Sequence, residues 1–490
     1  MPRSIGKKGS KFLWLVAAVF LTTSTGWSQV RSGRISGAVH DSSGANVADA
    51  KVEILETATG QRYPGTTNGE GEFQVPYLPG GTYEVKVVKQ GFISSVQSGI
   101  PLGVSETVRI EVILQVGGTQ TVVNVTDSGG TVQTESSSIV GVTGTQLIQA
   151  LPNVNHNPLY FATLQLGATP RASMTQVTGQ NSFGIGINGR RNVSAIAING
   201  GGAFQNDVQV DGVGVVGSAW NEAAVLPNSE GLQEVRTTVN NYSAEYGRGQ
   251  GVVLMTTKSG TNEFHGSGFW RHRNDFFNAN SFSNNARKID RPGFKVHTYG
   301  GTFGGPAIRN KAFFFASWEG LKFNEGLNFL RTVPTILERK GDFSQTLSNV
   351  SGVPTPLQLF DPYNVIPAGT NVFQRAAIPN SVIPANRLNA AALMLASQYP
   401  MPNGPPDDVY NTNNFRRSAT RVYGRNNLNS RFDYRAGEKH SLYFTGGFTF
   451  GDITHPLTFS DDNLNNSIAG EGFSRFIKDR NPYFSVGDTF

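Results

Sequence analysis

The chain has 490 residues, including 58 glycines and no cysteine, and its formal net charge is +6. The lack of cysteine excludes disulfides, thiolate metal sites and cysteine nucleophiles. Four of the positive charges lie among the first 11 residues, so the rest of the chain, at about +2, lacks the basic excess typical of nucleic-acid-binding proteins.

Residues 1–28 have the features of a secretory signal peptide. A basic start is followed by an apolar run from Phe12 to Leu21 and by the small residues Gly26 and Ser28. A membrane anchor is the alternative, but the run is too short to span about 30 Å of hydrocarbon as a helix. We therefore expect cleavage after Ser28 and export of the mature chain.

Residues 29–115 alternate short β-prone runs with turns. In "TYEVKVVK", Tyr83, Val85 and Val87 share one face, which is typical of a half-buried strand. Several such strands predict a small β-sandwich. The stretches "SGAVHDSSGANVADAKVEI" and "TTNGEGEFQVPYLPGGTYEVKVVKQGF" resemble the carboxypeptidase regulatory-like domain. That resemblance implies a transthyretin-like sandwich of the carbohydrate-binding-like fold group.

One turn of this block carries oxygen ligands that a calcium ion could use. Asn68, Glu70 and Glu72 lie close together in "TNGEGEF". No further oxygen ligands follow at the spacing of a calcium loop. We therefore interpret this segment as a solvated turn.

Residues 116–258 open with a linker that contains the β-prone stretch "TQTVVNVT". Two short helical segments follow, "TQLIQALP" and "PLYFATLQL", the second starting at Pro158, a favoured first helical residue. Further β-prone runs come after them. This pattern predicts a small α+β domain.

A glycine-rich motif lies in the same block. "FGIGINGRRN" contains a G-x-G-x-x-G at Gly184, Gly186 and Gly189, and Asp211 lies near the acidic position of a dinucleotide fingerprint. That fingerprint requires an apolar strand before the glycines and a helix after them. Here the preceding residues are polar and the following ones are β-branched and interrupted by glycine. We interpret the glycines as allowing tight backbone turns.

Residues 259–490 contain six predicted strands, near 264–273, 295–304, 312–323, 427–435, 440–450 and 482–490. The short connections "GPAIRNK" and "AGEK" alternate with long ones, of which one has about 100 residues and includes a short helix in "PANRLNAAALMLASQYP". Tight turns on one side and long loops on the other are typical of outer-membrane β-barrels.

The strand composition is also typical of a barrel wall. In "HSLYFTGGFTF", Leu442, Phe444 and Phe448 share one face, and Tyr443 and Thr445 lie on the other. An apolar face opposite a small or polar one predicts a strand between lipid and a wet lumen, although a soluble sandwich gives a similar pattern. Three aromatic residues are candidates for an interfacial girdle or for a core: Trp270, Tyr299 and Trp318.

Long stretches of the mature chain resemble Oar-like TonB-dependent receptors. They include "NNYSAEYGRGQGVVLMTTKSGTNEFHGSGFWRHRNDFFNANSF", "YGGTFGGPAIRNKAFFFASWEG", "TVPTILERKGDFS" and "LNSRFDYRAGEKHSLYF". The resemblance implies a regulatory-like domain, a TonB box, a plug and a barrel of about 22 strands. The expected fold is therefore mainly β, with an N-terminal sandwich, a small α+β plug and a partial antiparallel transmembrane barrel.

The resemblance also implies roles for particular residues. The TonB-box-like segment, which a partner protein would pair with, comprises Thr121, Val122, Val123, Asn124, Val125 and Thr126. A plain linker strand is the alternative for this segment. The expected plug turns comprise Gly184, Gly186, Gly189, Asp211 and Gly212.

Six strands are fewer than the roughly eight that a single-chain barrel needs for closure. The chain ends at Phe490, as barrel assembly signals often do, but Asp488 shares a face with Phe484 and Val486, and a charge facing lipid is costly. We therefore expect a truncated chain whose remaining strands are missing.

No enzyme signature is present: H-E-x-x-H, G-x-S-x-G and Walker motifs are all absent. His265 and His272 are seven positions apart in a predicted strand and should point to opposite faces. Arg271 and Arg273 are expected to line a polar lumen or the girdle. We expect no catalytic residues, cofactor or metal.

Three functions remain open. The first is import of a large extracellular solute across the outer membrane, driven by a TonB-type energy-transducing protein, with saccharides or peptides as the solute classes suggested by the family. The second is adhesion or surface organisation on the same scaffold. The third is a secreted carbohydrate-binding β-protein, which the strand and loop pattern disfavours. The expected partners are the TonB-type protein, the solute and outer-membrane lipid, with no nucleic acid, and the expected location is the cell outer membrane.

Overall fold

The computed structural model describes residues 32–104, 106–117, 122–126, 138–151, 157–170, 196–202, 205–216, 223, 225–242, 246, 249–286, 290–291, 293–437, 440–459 and 476–489. The predicted signal peptide, Thr121 and the three glycines of "FGIGINGRRN" lie outside these residues. The mainly β class predicted from the sequence is confirmed. In the described part of the chain, the helices are all too short or too polar to cross a membrane.

The N-terminal part is a two-sheet sandwich. Its strands are β1 (Gly33–Asp41), β2 (Lys51–Glu56), β3 (Arg62–Thr66), β4 (Glu72–Leu78), β5 (Gly81–Val88), β6 (Ser94–Leu102), β7 (Thr107–Leu114) and β8 (Val122–Thr126). One sheet has the order β4-β1-β7 and the other β3-β2-β5-β6-β8. Tyr83, Val85 and Val87 are buried between the sheets, as their spacing predicts. The Tyr83 hydroxyl, which is buried as well, donates to the Pro79 carbonyl at 2.6 Å.

Two strands of the sandwich, β3 and β6, were not predicted from the sequence, and one turn has the structure that the sequence indicates. β3 and β6 were not predicted because each contains glycine and proline, which weaken the strand signal. At the suspected calcium loop, the Asn68 side-chain oxygen accepts hydrogen bonds from the backbone N–H groups of Glu70 and Glu72. This arrangement is a side-chain-capped turn, in agreement with the sequence interpretation.

The central domain is built around a five-stranded sheet of order β13-β12-β15-β14-β9. Its elements are β9 (Ile139–Gly144), α1 (Thr145–Ala150), a 3₁₀ helix (Pro158–Leu164), β10 (Ala168–Pro170), β11 (Ile196–Ile198), β12 (Asp207–Val210), β13 (Val213–Gly214), a 3₁₀ helix (Ser229–Gly231), β14 (Leu232–Asn240) and β15 (Val252–Thr257). Both predicted helical segments are present, although the second is a 3₁₀ helix. Its first residue is Pro158, and the Asn157 side chain caps it.

The C-terminal part is a six-stranded antiparallel sheet in which neighbours in sequence, apart from the loop hairpins, are neighbours in space. Its strands are β16 (His265–Asn274), β17 (Phe294–Ile308), β18 (Ala312–Arg331), β23 (Phe415–Arg435), β24 (Ser441–Thr454) and β25 (Phe476–Thr489). The six predicted strands are therefore present among the described residues. β18 and β23 extend well beyond their predicted outer ends and pair along 20 positions.

The long connections contain structure of their own. Between β16 and β17 lie a 3₁₀ helix (Asp275–Phe277) and α2 (Phe282–Ala286). Between β18 and β23 lie β19 (Leu347–Val350), β20 (Val353–Pro356), β21 (Phe360–Gly369), β22 (Val372–Ala377), three 3₁₀ helices (Glu338–Lys340, Pro379–Ser381 and Ala385–Arg387) and α3 (Ala390–Gln398). The helix predicted in this loop is α3. The two hairpins β19–β20 and β21–β22 were not predicted because their prolines obscure the strand pattern.

The two faces of the six-stranded sheet differ as the sequence predicts. On β24, Leu442, Phe444 and Phe448 are exposed on the outer face, while Tyr443 and Thr445 are buried on the inner one. The central domain packs against the inner face, where its apolar core contacts Tyr483 of β25. The outer face is therefore the lipid-facing side of a barrel wall.

Candidate functional site

The turn between β12 and β13 places Asp211 and Gly212 at the inner wall of the barrel. Both residues have left-handed backbone angles, with φ of 46° at Asp211 and 83° at Gly212. Two consecutive positive φ values define a tight hairpin turn, for which Asp-Gly is a favoured pair. The two residues predicted as a plug turn thus form a tight turn at the surface where the central domain meets the wall.

The Asp211 carboxylate organises this contact. It accepts hydrogen bonds from the backbone N–H and the hydroxyl of Thr257, at 2.9 and 2.7 Å, and from the Thr445 hydroxyl at 3.0 Å. The Arg431 guanidinium of β23 lies 3.6 Å from it and also forms an ion pair with Asp433 at 2.9 Å. The Tyr443 hydroxyl donates to the Asp211 carbonyl. One side chain therefore joins the central domain to two wall strands.

Further polar contacts hold the central domain against the wall. The Asn427 amide donates to the Leu226 carbonyl at 2.7 Å. The Asn228 amide donates to the Ser317 hydroxyl at 3.1 Å. These contacts are hydrogen bonds and ion pairs, and Tyr483 of β25 adds an apolar contact. Hydrogen bonds of this kind can be exchanged for bonds to water when the two surfaces separate.

Sequence reasoning placed Arg271 and Arg273 at a polar lumen or the girdle. The Arg271 side chain forms an ion pair with Glu230 of the central domain, with a nitrogen–oxygen distance of 2.5 Å, so it faces the lumen. The Arg273 guanidinium stacks over the ring of Phe294, 4.8 Å from its centroid. Phe294 belongs to a buried apolar cluster, so Arg273 also lies on the inner side.

The sandwich is docked on the central domain and on the base of the barrel. The Glu234 carboxylate accepts from the Val104 N–H at 3.1 Å, and Arg236 donates to the Val104 carbonyl at 2.6 Å. Gln233 donates to the Gly80 carbonyl at 3.0 Å. At the β15–β16 junction, Asn262 bonds to the backbone of the turn after β2. Side chains of β14 and of this junction thus form hydrogen bonds with backbone atoms in three turns of the sandwich.

A small cavity of about 120 Å³ lies where the three parts meet. Its charged lining residues are Glu56, Asp211, Lys311, Arg431, Asp433 and Arg435. Burial raises the pKa of the Glu56 carboxyl to about 7, a hydrogen bond from Thr59 partly opposes this shift, and nearby Asp433 adds to it. Burial also raises the pKa of Glu234. The docked surface therefore contains two acids whose burial disfavours the charged form.

The TonB-box-like segment is ordered against the sandwich. Residues Val122–Thr126 form β8, which pairs in parallel with β6 from Ser94↔Val122 to Ser98↔Thr126. β8 is the last strand of its sheet. The segment predicted to pair with a partner protein is thus already extended, and it lies at a sheet edge.

The aromatic candidates for a girdle lie on the outer face. Trp270 is 65% exposed and pairs directly with Tyr299 across β16 and β17. Tyr299 contacts Trp318 at 5.5 Å between ring centroids. Trp318 itself is 42% exposed, which excludes the core alternative. These three residues form a continuous aromatic line of the kind that marks a membrane interface.

The histidines show one arrangement that sequence reasoning missed. His272 is directly opposite His297 on β17, with 4.3 Å between ring centroids, and Trp270 stacks on both. His265 contacts Phe315 of the inner face, so the prediction that His265 and His272 point to opposite sides is confirmed. The pair could have been found only with the β16–β17 register. Among the described residues, no group of three or more side chains could hold a metal ion.

At the end of the six-stranded sheet that carries the long loops, a larger cavity of about 610 Å³ lies between the β16–β17 loop and the long strands β18 and β23. Its charged lining residues are Asp290, Arg291, Lys295, Arg416 and Arg417. Arg416 is paired with Asp407, and Arg291 lies near Asp275. The lining therefore carries more positive than negative side chains, two of which have acidic partners nearby.

Residues 256–490 match the family described as outer membrane beta barrel domain, and residues 34–115 match the carboxypeptidase regulatory-like domain. Over 318 residues the chain is 25% identical to the TonB-dependent transporter Oar of Myxococcus xanthus, which covers 62% of this chain and 28% of that protein. The chain is thus similar to Oar and contains an outer membrane beta barrel domain. The family resemblance and the location predicted from the sequence are therefore confirmed.

The chain spans little more than a quarter of the length of that relative. Among solved structures, it is similar to a ferric enterobactin receptor of Pseudomonas aeruginosa, with a TM-score of 0.37 and 15% identity, covering 71% of this chain and 38% of that one. A second similarity, to the Bacillus anthracis TIE protein, has a TM-score of 0.16 and 22% identity and covers 17% of this chain and 16% of that one.

Proposed function

We propose that this protein imports an extracellular solute across the outer membrane and that a TonB-type inner-membrane protein supplies the energy. The central domain acts as the plug: solute binds on the outer side, and a pull on the periplasmic segment before β9 displaces the plug. The observation that carries this proposal is the polar attachment of the central domain to the inner wall through Asp211, since hydrogen bonds and ion pairs can be exchanged for water when the plug moves.

The arrangement along the chain supports the direction of the pull. The TonB-box-like strand β8 immediately precedes the plug in sequence. The sandwich and β8 lie at the end of the barrel that has the short turns, which is the periplasmic end in this class of barrel. A partner anchored in the inner membrane reaches that end.

Pairing between β8 and the partner uses main-chain hydrogen bonds, so it depends on backbone donors rather than on side chains. Proline removes a donor and fixes φ. We therefore predict that Val123→Pro or Val125→Pro in the full-length protein abolishes uptake while solute binding at the cell surface survives. Proline at Ser128, outside the proposed box, should be tolerated.

Uptake is measured as growth on a panel of oligosaccharides and peptides at limiting concentration, compared with a strain that lacks the TonB-type protein. Growth that depends on this chain and on the energy-transducing protein supports import. Undiminished uptake in both valine variants would place the coupling segment elsewhere. A phenotype limited to cell–cell or surface attachment, unchanged when the energy source is removed, would instead support the adhesion function.

A further inference from the structure

The outer face of the six-stranded sheet changes from aromatic to basic immediately beyond the aromatic line. Trp270 and Tyr299 form one row across β16 and β17, and His272 and His297 form the next row toward the long loops. Lys322 of β18 extends this second row, because it is directly opposite His297. Directly opposed residues and residues two positions apart on a strand share a face, so these side chains all lie on the lipid-facing side.

A second lysine belongs to the same patch. Lys295 lies two positions from His297 on β17, and the side chains of Lys295 and Lys322 are both exposed. Neighbouring strands are about 4.8 Å apart, and residues two positions apart on one strand are separated by about 7 Å. The two lysines and the His272–His297 pair therefore lie close enough together for one small anionic group to contact them all.

The positive charge of this patch is not neutralised by the protein. In the described part of the chain, neither lysine forms an ion pair. Two acids at the same end of the sheet already have cationic partners. Asp452 is bonded to Arg480 at 3.0 Å, and Asp275 lies 3.7 Å from Arg291. The two ammonium groups are therefore free to bind an external anion.

The opposite end of the outer face has a different character. Near the short turns the face carries Phe303, Phe432 and Phe444, together with the acidic Asp488, which contacts His440 at 2.7 Å. Basic side chains that only extend from hydrocarbon toward water would be expected at both ends of a barrel wall. In the described strands, positive charge on this face is concentrated at the end with the long loops, which meets the outer leaflet.

We propose that Lys295, Lys322, His272 and His297 bind the phosphate group of an anionic lipid in the outer leaflet. The ammonium groups supply charge and N–H donors, and each imidazole adds an N–H donor when it is protonated. The position beyond the aromatic line is that of lipid headgroups, where basic clusters attract anionic lipids. A metal ion does not suit the patch, because the two lysines repel it. The inference does not depend on which solute the protein imports.

Native mass spectrometry of the full-length protein in detergent tests the proposal, because it counts bound lipids and gives their dissociation constants. The probes are dioleoyl phosphatidic acid, dioleoyl phosphatidylcholine and inorganic phosphate. Lys295→Gln combined with Lys322→Gln removes the charge of the patch, and Lys295→Arg combined with Lys322→Arg keeps it. Lys340→Gln combined with Arg375→Gln is the matched control, since it removes two positive charges from the long loop between β18 and β23.

We expect the unmodified protein to bind phosphatidic acid about tenfold more tightly than phosphatidylcholine. The glutamine pair should bind one tightly held phosphatidic acid fewer, whereas the arginine pair and the control pair should keep it. An unchanged number and affinity of bound phosphatidic acid in the glutamine pair would overturn the proposal. Equal loss in the control pair or in the arginine pair would do the same. Displacement of the lipid by excess inorganic phosphate would show a site for free phosphate and would overturn the assignment to lipid.

Discussion

Glu56 allows a quantitative test of how the sandwich is held. Its carboxyl is buried at the cavity between sandwich, central domain and barrel, and its pKa rises from 4.5 to about 7. Because one pKa unit corresponds to about 1.4 kcal/mol, the charged form is disfavoured in the folded state by about 3 kcal/mol. The change we propose is Glu56→Gln, which keeps an oxygen that can accept from the Thr59 hydroxyl.

The direction of the pH effect follows from the raised pKa. Below pH 4.5 the carboxyl is neutral in both the folded and the unfolded sandwich, and no penalty arises. Between pH 4.5 and 7 the unfolded form ionises first, so stability falls as the pH rises. Above pH 7 the full cost of about 3 kcal/mol is present. Glu56→Gln should therefore stabilise the sandwich by about 3 kcal/mol at pH 8 and leave it nearly unchanged at pH 4.

The measurement is a urea titration of the mature chain in detergent at pH 4 and pH 8. Pulse hydrogen exchange on peptides from β2 and β5 reports the unfolding of the sandwich. Glu53→Gln is the matched control, since Glu53 lies on the same strand but is exposed and paired only with Arg62. Equal free energies of unfolding for the Glu56→Gln variant and the unmodified chain at pH 8 would refute the reasoning, and so would an equal effect of Glu53→Gln.

Two further changes test the wall. Asp211→Ala leaves three buried hydrogen-bond donors without their acceptor, while Arg431 keeps Asp433, and should lower the opening free energy of the plug–wall contact by about 3–5 kcal/mol, read by hydrogen exchange of β24. Asp211→Asn keeps one acceptor oxygen and tolerates the left-handed turn, so it should cost less than half of that. Leu428→Arg on the outer face should destabilise the barrel wall in bilayers by about 2–4 kcal/mol, whereas Thr420→Arg near the outer end of the same strand should cost about 1 kcal/mol or less. Equal effects of the two arginine substitutions in a lipid-vesicle unfolding assay would exclude Leu428 from the lipid-facing band.

The wall strands could be predicted from the sequence because their signal is local. Alternation of Leu442 and Phe444 with Tyr443 and Thr445 places each residue on one of two faces, and short turns mark where strands pair. The same holds for Tyr83, Val85 and Val87 in the sandwich. Each of these predictions needs only a few consecutive residues, and the structure confirms them.

The contacts that connect the parts could not be predicted in this way. Asp211 and Arg431 are far apart in sequence, and their meeting depends on how a whole domain sits inside the wall. To predict the His272–His297 pair, the register between β16 and β17 has to be known. The pairing of β6 with β8 joins the sandwich to a linker segment, and β7 lies between the two strands in sequence. Each is set by long-range packing, which no local pattern encodes.

The first strand of the central domain, β9, is an edge strand of its sheet. β9 lies at the edge of the five-stranded sheet, and among the described strands it pairs with β14 alone, from Ile139↔Asn240 to Gly144↔Glu234. Under the proposed function, a load on the segment before β9 would act first on the Ile139 end, and the pairs would separate one after another. The ladders between β12, β15 and β14 remain intact meanwhile. A passage along the wall would then open when β9 separates from β14. The force required would be that needed to break one β9–β14 residue pair at a time, rather than that needed to unfold the whole domain.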